Sequence, residues 1–191
     1  AMMLVNAMRR LRLHVLALEP LMINAQVALR RAEKEPDLYV RRLGLGDVDG
    51  ATGYYPAEYD ARRSTMHLQI ARWRDNDNAG NVSYPITTID ALFDEEWDRT
   101  LVLAHLDLEG REPDALRGAN ATLQRDRPVV TVETYPKSMQ SRHLDVMAQF
   151  EALRYEVYTI QETVGSIRDG RNSVAIPRED RHLRRIVEQY F

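Results

Sequence analysis

Hydrophobic residues repeat with two periods along this chain, which are typical of half-buried β-strands and of amphipathic α-helices. The predicted strands are residues 14–18, 38–45, 101–109, 129–133, 155–160 and 173–176. The predicted helices are residues 2–11, 22–35, 90–93, 113–124 and 138–153, followed by a last helix that carries Leu183, Ile186, Val187 and Tyr190. This alternation predicts a single α/β domain over residues 1–191, with a mostly parallel sheet and an antiparallel C-terminal hairpin.

The segment 101–109 predicts a buried strand whose two faces differ in chemistry. One face is entirely apolar and consists of Val102, Ala104, Leu106 and Leu108. The other face becomes ionisable towards the carboxyl end, where His105, Asp107 and Glu109 follow each other at alternate positions. Gly110 then supplies the turn into a helix. Because ligands bind at the carboxyl ends of strands in open α/β sheets, we expect these ionisable side chains at a ligand crevice.

Two of the predicted helices carry expectations about packing. Gly118 lies inside the helix 113–124, where glycine costs about 1 kcal/mol, so we expect a close approach to the sheet at this point. The helix 138–153 is expected to direct four apolar side chains inward, namely Leu144, Met147, Ala148 and Leu153.

Residues 51–86 are the least regular part of the chain. A short strand is expected there, because apolar and polar residues alternate at Val82, Tyr84 and Ile86.

Composition and charge exclude several classes of protein. The net charge is −3, and the Arg-Arg pairs, such as Arg41-Arg42, are scattered. They predict solvated surfaces rather than a nucleic-acid interface, which needs clustered positive charge. The absence of cysteine excludes disulfides, thiolate zinc sites and a cysteine nucleophile. No apolar run approaches the roughly 20 residues of a membrane helix, and Arg9, Arg10 and Arg12 interrupt any signal-peptide core. We therefore expect a cytoplasmic protein without membrane or nucleic-acid partners.

Several segments, in the same order, resemble a known family. Asp107-Leu-Glu109-Gly110, followed by Leu116-Arg-Gly118-Ala119, resembles the Asp-x-Glu-Gly…Leu-x-Gly-Ala pattern of the FkbM-type S-adenosylmethionine-dependent methyltransferases. The other matching segments are a strand at 127–133, a terminal hairpin at 155–158 and 172–177, and a second strand at 15–20. The resemblance covers residues 10–177 and implies a Rossmann-like three-layer sandwich that binds S-adenosylmethionine.

The resemblance implies a set of cofactor-binding residues. Glu19 and Pro20 end the second strand, where a carboxylate accepts hydrogen bonds from both ribose hydroxyls. Asp47 follows the third strand, where related methyltransferases often contact the adenine amino group. Asp107 would face the methionine portion of the cofactor or the acceptor. Each residue also has a structural alternative, because Glu19 can be an ordinary strand-end charge and Asp47 can simply form the turn with Gly46.

The catalytic candidates are Asp107, His105 and Glu109. In an O-methyl transfer the acceptor hydroxyl loses a proton as it attacks the methyl carbon, and a carboxylate or histidine within hydrogen-bond reach can take that proton. The family often has lysine where this chain has His105, so a structural role for His105 stays open. Glu133, at the end of the following strand, is either part of the acceptor pocket or a strand-end charge.

A metal site is the alternative interpretation of His105, Asp107 and Glu109, because all three side chains can ligate a divalent ion. Residues at alternate strand positions lie about 7 Å apart. They are too far apart to chelate one ion without another element, so no metal is expected.

One family feature is missing from the sequence. The family opens with a first strand and a glycine-rich turn, Asp-x-Gly-Ala-Asn-x-Gly, and the chain contains no such motif. The ribose carboxylate lies about 20 residues beyond such a turn in nucleotide-binding folds, and only 18 residues precede Glu19. We therefore expect the chain to begin just past the turn and to lack the first strand. Its absence leaves unpaired backbone groups in the core. Three alternatives follow: the strands that end at Glu19 and Asp107 pair directly, another chain fills the gap in a swapped or edge-paired homodimer, or the sequence is a fragment.

Two functions follow as hypotheses. The first is an S-adenosylmethionine-dependent O-methyltransferase that acts on a hydroxyl of a small molecule, such as a sugar or a polyketide-like compound. The second is a truncated, non-catalytic module for oligomerisation or binding, which the missing glycine-rich turn favours. The retained carboxylates Glu19, Asp107 and Glu109 favour the enzyme.

Overall fold

The computed structural model describes residues 13–57, 80–134, 140–164 and 167–189. The strands are β1 (Val15–Leu18), β2 (Leu38–Arg41), β3 (Gly44–Leu45), β4 (Thr52–Pro56), β5 (Asn81–Thr87), β6 (Leu103–Leu106), β7 (Val129–Glu133), β8 (Tyr155–Val164) and β9 (Ile167–Pro177). The helices are α1 (Met22–Ala32), α2 (Ile89–Ala91), α3 (Glu112–Arg117), α4 (Asn120–Asp126), α5 (Gln140–Ala152) and α6 (Arg181–Val187), with a π-helical turn over Leu92–Glu96. The predicted helix 2–11 lies outside the described residues.

The chain divides into two compact units, one formed by residues 1–44 and 50–86 and the other by residues 45–49 and 87–191. Each unit is built around its own strands and is described by itself. The single domain over residues 1–191 stays a prediction.

In the first unit, β1 and β2 form a parallel pair connected by α1, with Val15 opposite Leu38. This is the strand–helix–strand arrangement that the alternating pattern predicts. The helix buries Ala25, next to Leu21 at its amino end. A second sheet has the strand order β3-β5-β4, and its strands β4 and β5 are antiparallel. The strand expected at residues 82–86 is therefore confirmed, as part of β5.

The second unit contains a four-stranded sheet with the order β6-β7-β9-β8. β6 and β7 are parallel, whereas β9 is antiparallel to both of its neighbours, so the predicted C-terminal hairpin is confirmed. The core of this unit contains buried residues from the sheet and from the helices that cover it, including Leu106, Leu116, Leu123, Val130, Val132 and Phe150. α5 contributes Val146 and Phe150 to this core, while Leu144 is 59% exposed. The inward orientation predicted for Leu144 and Ala148 is therefore wrong.

The predicted dominance of parallel strand pairs is not confirmed. Among the pairings with a described register, β1–β2 and β6–β7 are parallel, and three others are antiparallel. The reason is that β4 and β5 interrupt the alternation of strands and helices, and the terminal hairpin adds two further antiparallel pairs. The Rossmann-like three-layer arrangement stays a prediction. Within the described ranges, no helix is both long enough and apolar enough to cross a membrane.

Gly118 explains why the predicted helix 113–124 is interrupted. α3 ends at Arg117 and α4 begins at Asn120, so Gly118 lies in the break. A Cβ atom added to Gly118 would lie 2.1 Å from the carbonyl oxygen of Gly46 and 3.1 Å from Thr88. A close approach is found at Gly118, but its main neighbour is the backbone of the loop after β3 rather than a strand of the sheet, as was expected.

Candidate functional site

Glu19 and Pro20 form the turn between β1 and α1. The Glu19 Oε1 atom accepts a hydrogen bond from the Leu21 backbone N–H at 2.9 Å, and Oε2 accepts one from the Asn24 side-chain amide at 3.3 Å. Burial raises the pKa of Glu19 above its ordinary value, and these two hydrogen bonds partly oppose that effect. The carboxylate therefore fixes the start of α1, a structural role that leaves room for further hydrogen bonds.

Arg42 holds the same turn from β2 and was missed by sequence reasoning. Its Nε donates to the Pro20 carbonyl oxygen at 3.2 Å, and its Nη2 donates to the Ser83 carbonyl oxygen at 2.8 Å. Nη2 also lies 3.4 Å from the Tyr55 hydroxyl, which accepts a hydrogen bond from the Met22 backbone N–H at 3.0 Å. The solvated surface predicted from the Arg41-Arg42 pair is wrong for Arg42, because its guanidinium is half-buried among oxygen acceptors.

Asp47 lies on an exposed loop and belongs to a network of charges in the second unit. Arg117 donates from Nε to Asp47 at 3.4 Å and from Nη1 to Asp145 at 2.9 Å, and it also pairs with Asp114. Burial by itself lowers the pKa of Arg117, but the hydrogen bonds and charges of these carboxylates raise it above its ordinary value. Arg117, the last residue of α3, therefore contacts the predicted turn next to Gly46 through Asp47. The adenine contact of Asp47 stays a prediction.

The carboxyl end of β6 brings several predicted site residues together. β6 ends at Leu106, so the predicted strand 101–109 is shorter than expected, and Asp107 and Glu109 lie in the following turn. Leu106 pairs with Val132 in the parallel β6–β7 ladder. Asp107 and Glu133 each come directly after this pair, so their backbones lie at the same edge of the sheet. His105 lies on β6, one residue before Leu106, and is exposed. Its Nδ1 atom lies 2.8 Å from the Thr131 Oγ1 atom.

The turn after Asp107 is strained. Glu109 has a φ of 54° and Gly110 a φ of 92°, so both residues are in the left-handed region. This conformation suits glycine, but it costs a residue with a side chain roughly 1–2 kcal/mol. Such strain persists only where the surrounding structure holds it.

Glu112 is the residue that holds this turn, and sequence reasoning missed it. Its side chain is only 3% exposed, and Oε1 accepts hydrogen bonds from the Leu108 N–H at 2.8 Å and the Gly110 N–H at 3.2 Å. Burial raises the pKa of Glu112, and the nearby charge of Asp107 raises it further. The backbone hydrogen bonds to the carboxylate lower the pKa and so partly oppose these two effects. An acidic residue in the first turn of a helix was the available signal, although it did not indicate burial.

His105 therefore lies on β6, and Asp107 and Glu109 follow in the turn after it. The backbones of Asp107 and Glu133 lie at the same edge of the sheet. Glu19 and Pro20 belong to the first unit and form a separate turn. Among the described residues, no group of three histidine or acidic side chains has a geometry that could hold a metal ion. The arrangement at β6 and β7 offers an imidazole and carboxylates as proton acceptors.

A comparison with solved structures finds a protein of similar fold. A crystal structure of methyltransferase FkbM from Methylobacillus flagellatus KT matches with a TM-score of 0.54 and 18% sequence identity, over 85% of this chain. At that identity the likeness concerns the fold alone. The chain covers 36% of the length of that protein. A comparison with curated proteins finds no match.

Residues 3–157 match the family model of the methyltransferase FkbM domain. The chain therefore belongs to the FkbM methyltransferase family, and the resemblance carried by the Asp107–Ala119 segment is confirmed.

Proposed function

We propose that this chain is an S-adenosylmethionine-dependent O-methyltransferase whose acceptor is a hydroxyl group of a small molecule, such as a sugar or a polyketide-like compound. Family membership supports methyl transfer in general. The observation that carries the finer proposal is the group of proton-accepting side chains at the shared carboxyl edge of β6 and β7, namely His105, Asp107 and Glu133. A hydroxyl acceptor needs such a group, because it must lose its proton during the transfer.

Glu19 would bind the ribose of the cofactor. Within the described ranges, each of its oxygens accepts one hydrogen bond, whereas an ionised carboxylate has about four acceptor sites. The remaining sites suit two ribose hydroxyls, so the residue fits the group. Asp47 would contact the adenine and Asp107 the methionine portion. When bound, S-adenosylmethionine supplies an electrophilic methyl group.

The residues of the chain would contribute mainly orientation and removal of a proton. Alignment of donor and acceptor is a large source of rate acceleration in bimolecular transfers. His105 is exposed and can accept the proton of an acceptor hydroxyl, and imidazole is the side chain that most often does so. Asp107 and Glu109 are the carboxylates closest to it along the chain and are the alternative acceptors.

Calorimetric titration of the full 191-residue chain with S-adenosylmethionine and S-adenosylhomocysteine tests the proposal. We expect micromolar binding that is weakened about 10- to 100-fold in Glu19→Ala, because hydrogen bonds to a charged group contribute roughly 1.5–3 kcal/mol. Glu33→Ala is the matched control, since Glu33 is an exposed glutamate at the other end of α1. Circular dichroism of each variant establishes that the chain is folded.

The two hypotheses predict different outcomes of this titration. No binding at millimolar ligand by the folded chain would contradict the enzyme and favour a non-catalytic module. Binding that Glu19→Ala and Glu33→Ala weaken equally would contradict the role of Glu19 in holding the ribose. If binding occurs, transfer of a labelled methyl group to hydroxyl compounds, but not to their deoxy analogues, tests O-methylation.

A further inference from the structure

His105 and Thr131 face each other across the parallel strands β6 and β7. The register pairs the two residues directly, and the His105 Nδ1 atom lies 2.8 Å from the Thr131 Oγ1 atom. The same Oγ1 atom donates to the Ala104 carbonyl oxygen at 3.4 Å. One hydroxyl therefore contacts both an imidazole nitrogen and a carbonyl oxygen.

The hydroxyl of Thr131 has a single proton, and this determines how both contacts can be hydrogen bonds. A threonine hydroxyl has one proton to donate and lone pairs to accept, and a carbonyl oxygen can only accept. If the hydroxyl proton is given to Ala104, the imidazole has to donate its Nδ1–H to Thr131. The other ring nitrogen of a neutral imidazole, Nε2, then carries no proton. For a neutral imidazole, no other assignment satisfies both contacts.

We propose that Thr131 is a positioning residue that holds His105 in the Nδ1–H tautomer and leaves Nε2 as its proton-accepting atom. The catalytic meaning of this arrangement rests on the proposed function. The proton of an acceptor hydroxyl would pass to Nε2 of His105. The resulting imidazolium keeps its Nδ1–H bonded to Thr131, so the ring does not need to turn during the transfer. His105 is exposed, so its Nε2 is within reach of a bound molecule.

Nitrogen NMR of the histidine rings tests the assignment without any cofactor. In the ¹⁵N-labelled full chain at alkaline pH, where imidazoles are neutral, long-range ¹H–¹⁵N spectra distinguish a protonated from an unprotonated ring nitrogen. The His105→Asn variant identifies the signals of His105 by their loss. We expect Nδ1 to be the protonated nitrogen in the unaltered chain.

Variants of Thr131 separate positioning from a general effect on the fold. Thr131→Val removes the hydroxyl, and we expect the ratio of Nδ1–H to Nε2–H forms to fall about 2- to 12-fold, which is the effect of one lost hydrogen bond. Thr131→Ser keeps the hydroxyl and should restore the ratio. Thr159→Val is the matched control, because Thr159 is an exposed threonine on β8 of the same sheet. It should leave the ratio unchanged.

The outcomes distinguish this inference from the proposed function. A protonated Nε2 in the unaltered chain, or a tautomer ratio that Thr131→Val does not change, would overturn the role of Thr131. The Nδ1–H form in a chain that binds no S-adenosylmethionine would leave the positioning role supported and contradict the methyltransferase. In an active chain, Thr131→Val should lower kcat with little change in KM, and Thr131→Ser should recover most of the loss.

Discussion

Replacing Glu112 by alanine should destabilise the turn that connects β6 to α3. The buried carboxylate accepts hydrogen bonds from the backbone N–H groups of Leu108 and Gly110, on either side of the left-handed residue Glu109. Alanine removes the acceptor and leaves both donors without it.

The size of the effect follows from these contacts. Loss of its acceptor costs a fully buried donor about 1–3 kcal/mol, so the loss of both contacts sets an upper bound of roughly 6 kcal/mol. Part of this is offset, because alanine also removes the unfavourable burial of a carboxylate, the same effect that raises the pKa of Glu112. We therefore expect the free energy of unfolding to fall by about 2–4 kcal/mol.

Urea denaturation followed by circular dichroism measures this loss. With a slope near 2 kcal/mol per M, the midpoint of Glu112→Ala should lie about 1–2 M below that of the unaltered chain. Glu112→Gln keeps a carbonyl oxygen for both donors and should lose less than about 1 kcal/mol. Glu188→Ala serves as the surface control, because Glu188 is an exposed glutamate at the end of α6. Equal midpoints for Glu112→Ala and Glu188→Ala would refute the reasoning.

The raised pKa of Glu112 adds a pH dependence with a defined sign. In the unfolded chain the carboxyl ionises near its ordinary value of 4.5, whereas burial raises the pKa in the folded chain. Between the two pKa values the folded state therefore binds more protons than the unfolded state. The free energy of unfolding, relative to Glu112→Gln, should fall as the pH rises from 4.5 through the folded pKa. A difference that does not change between about pH 4 and pH 7 would contradict this.

Two further predictions concern packing and the alkaline range. Gly118→Ala should lower the free energy of unfolding by about 1–3 kcal/mol, because its Cβ would lie 2.1 Å from the Gly46 carbonyl oxygen; an unchanged urea midpoint would contradict this. Burial raises the pKa of Tyr155 from 10.0 to about 12, so the unaltered chain should lose stability between these pH values. Tyr155→Phe should lose less stability over this range, with the raised pKa of Tyr158 left as a smaller contribution; a parallel decline of both proteins in alkaline urea titrations would contradict this.

The strands and helices that the sequence predicts best are those with an unambiguous period. β7 coincides with the predicted strand 129–133, because Val130 and Val132 alternate with polar or less buried positions. β6 is shorter than its pattern, since Asp107 follows the last paired residue, Leu106. Apolar and polar residues can alternate through a turn as well as through a strand. The pattern alone therefore does not show where the hydrogen-bonded pairing of β6 with β7 ends.

The orientation of α5 shows why a helix can be predicted and its buried face missed. The sequence places apolar residues on two overlapping stripes, one with Leu144 and Ala148 and the other with Val146 and Phe150. Helical spacing allows either stripe to face inward. The larger Phe150 is fully buried and lies 5.7 Å from the Tyr155 ring, measured between ring centroids. Packing against the strand that follows the helix selects the face, and this contact is not visible in the periodicity.

Arg42 and Glu112 were missed for a different physical reason. Charged residues are rarely buried, so a sequence pattern assigns them to the surface unless a partner is evident. The partners of Arg42 are carbonyl oxygens of Pro20 and Ser83, which are distant in sequence. Every residue has a backbone carbonyl oxygen, so the sequence contains no signal that identifies which of them accept from Arg42.

Glu19 and Glu112 each stabilise a strand-to-helix turn by accepting hydrogen bonds from backbone N–H groups. Each carboxylate accepts a backbone N–H two residues away, Glu19 from Leu21 and Glu112 from Gly110. For both residues burial raises the pKa and the hydrogen bonds oppose it. A loss of ligand binding in Glu19→Ala therefore has two causes, a missing ribose contact and a disturbed turn. Glu19→Gln separates them, because its carbonyl oxygen still accepts from Leu21 while its amide removes the charge. Binding that weakens equally in both variants would identify the charge as the cause, whereas binding that recovers in Glu19→Gln would identify the turn.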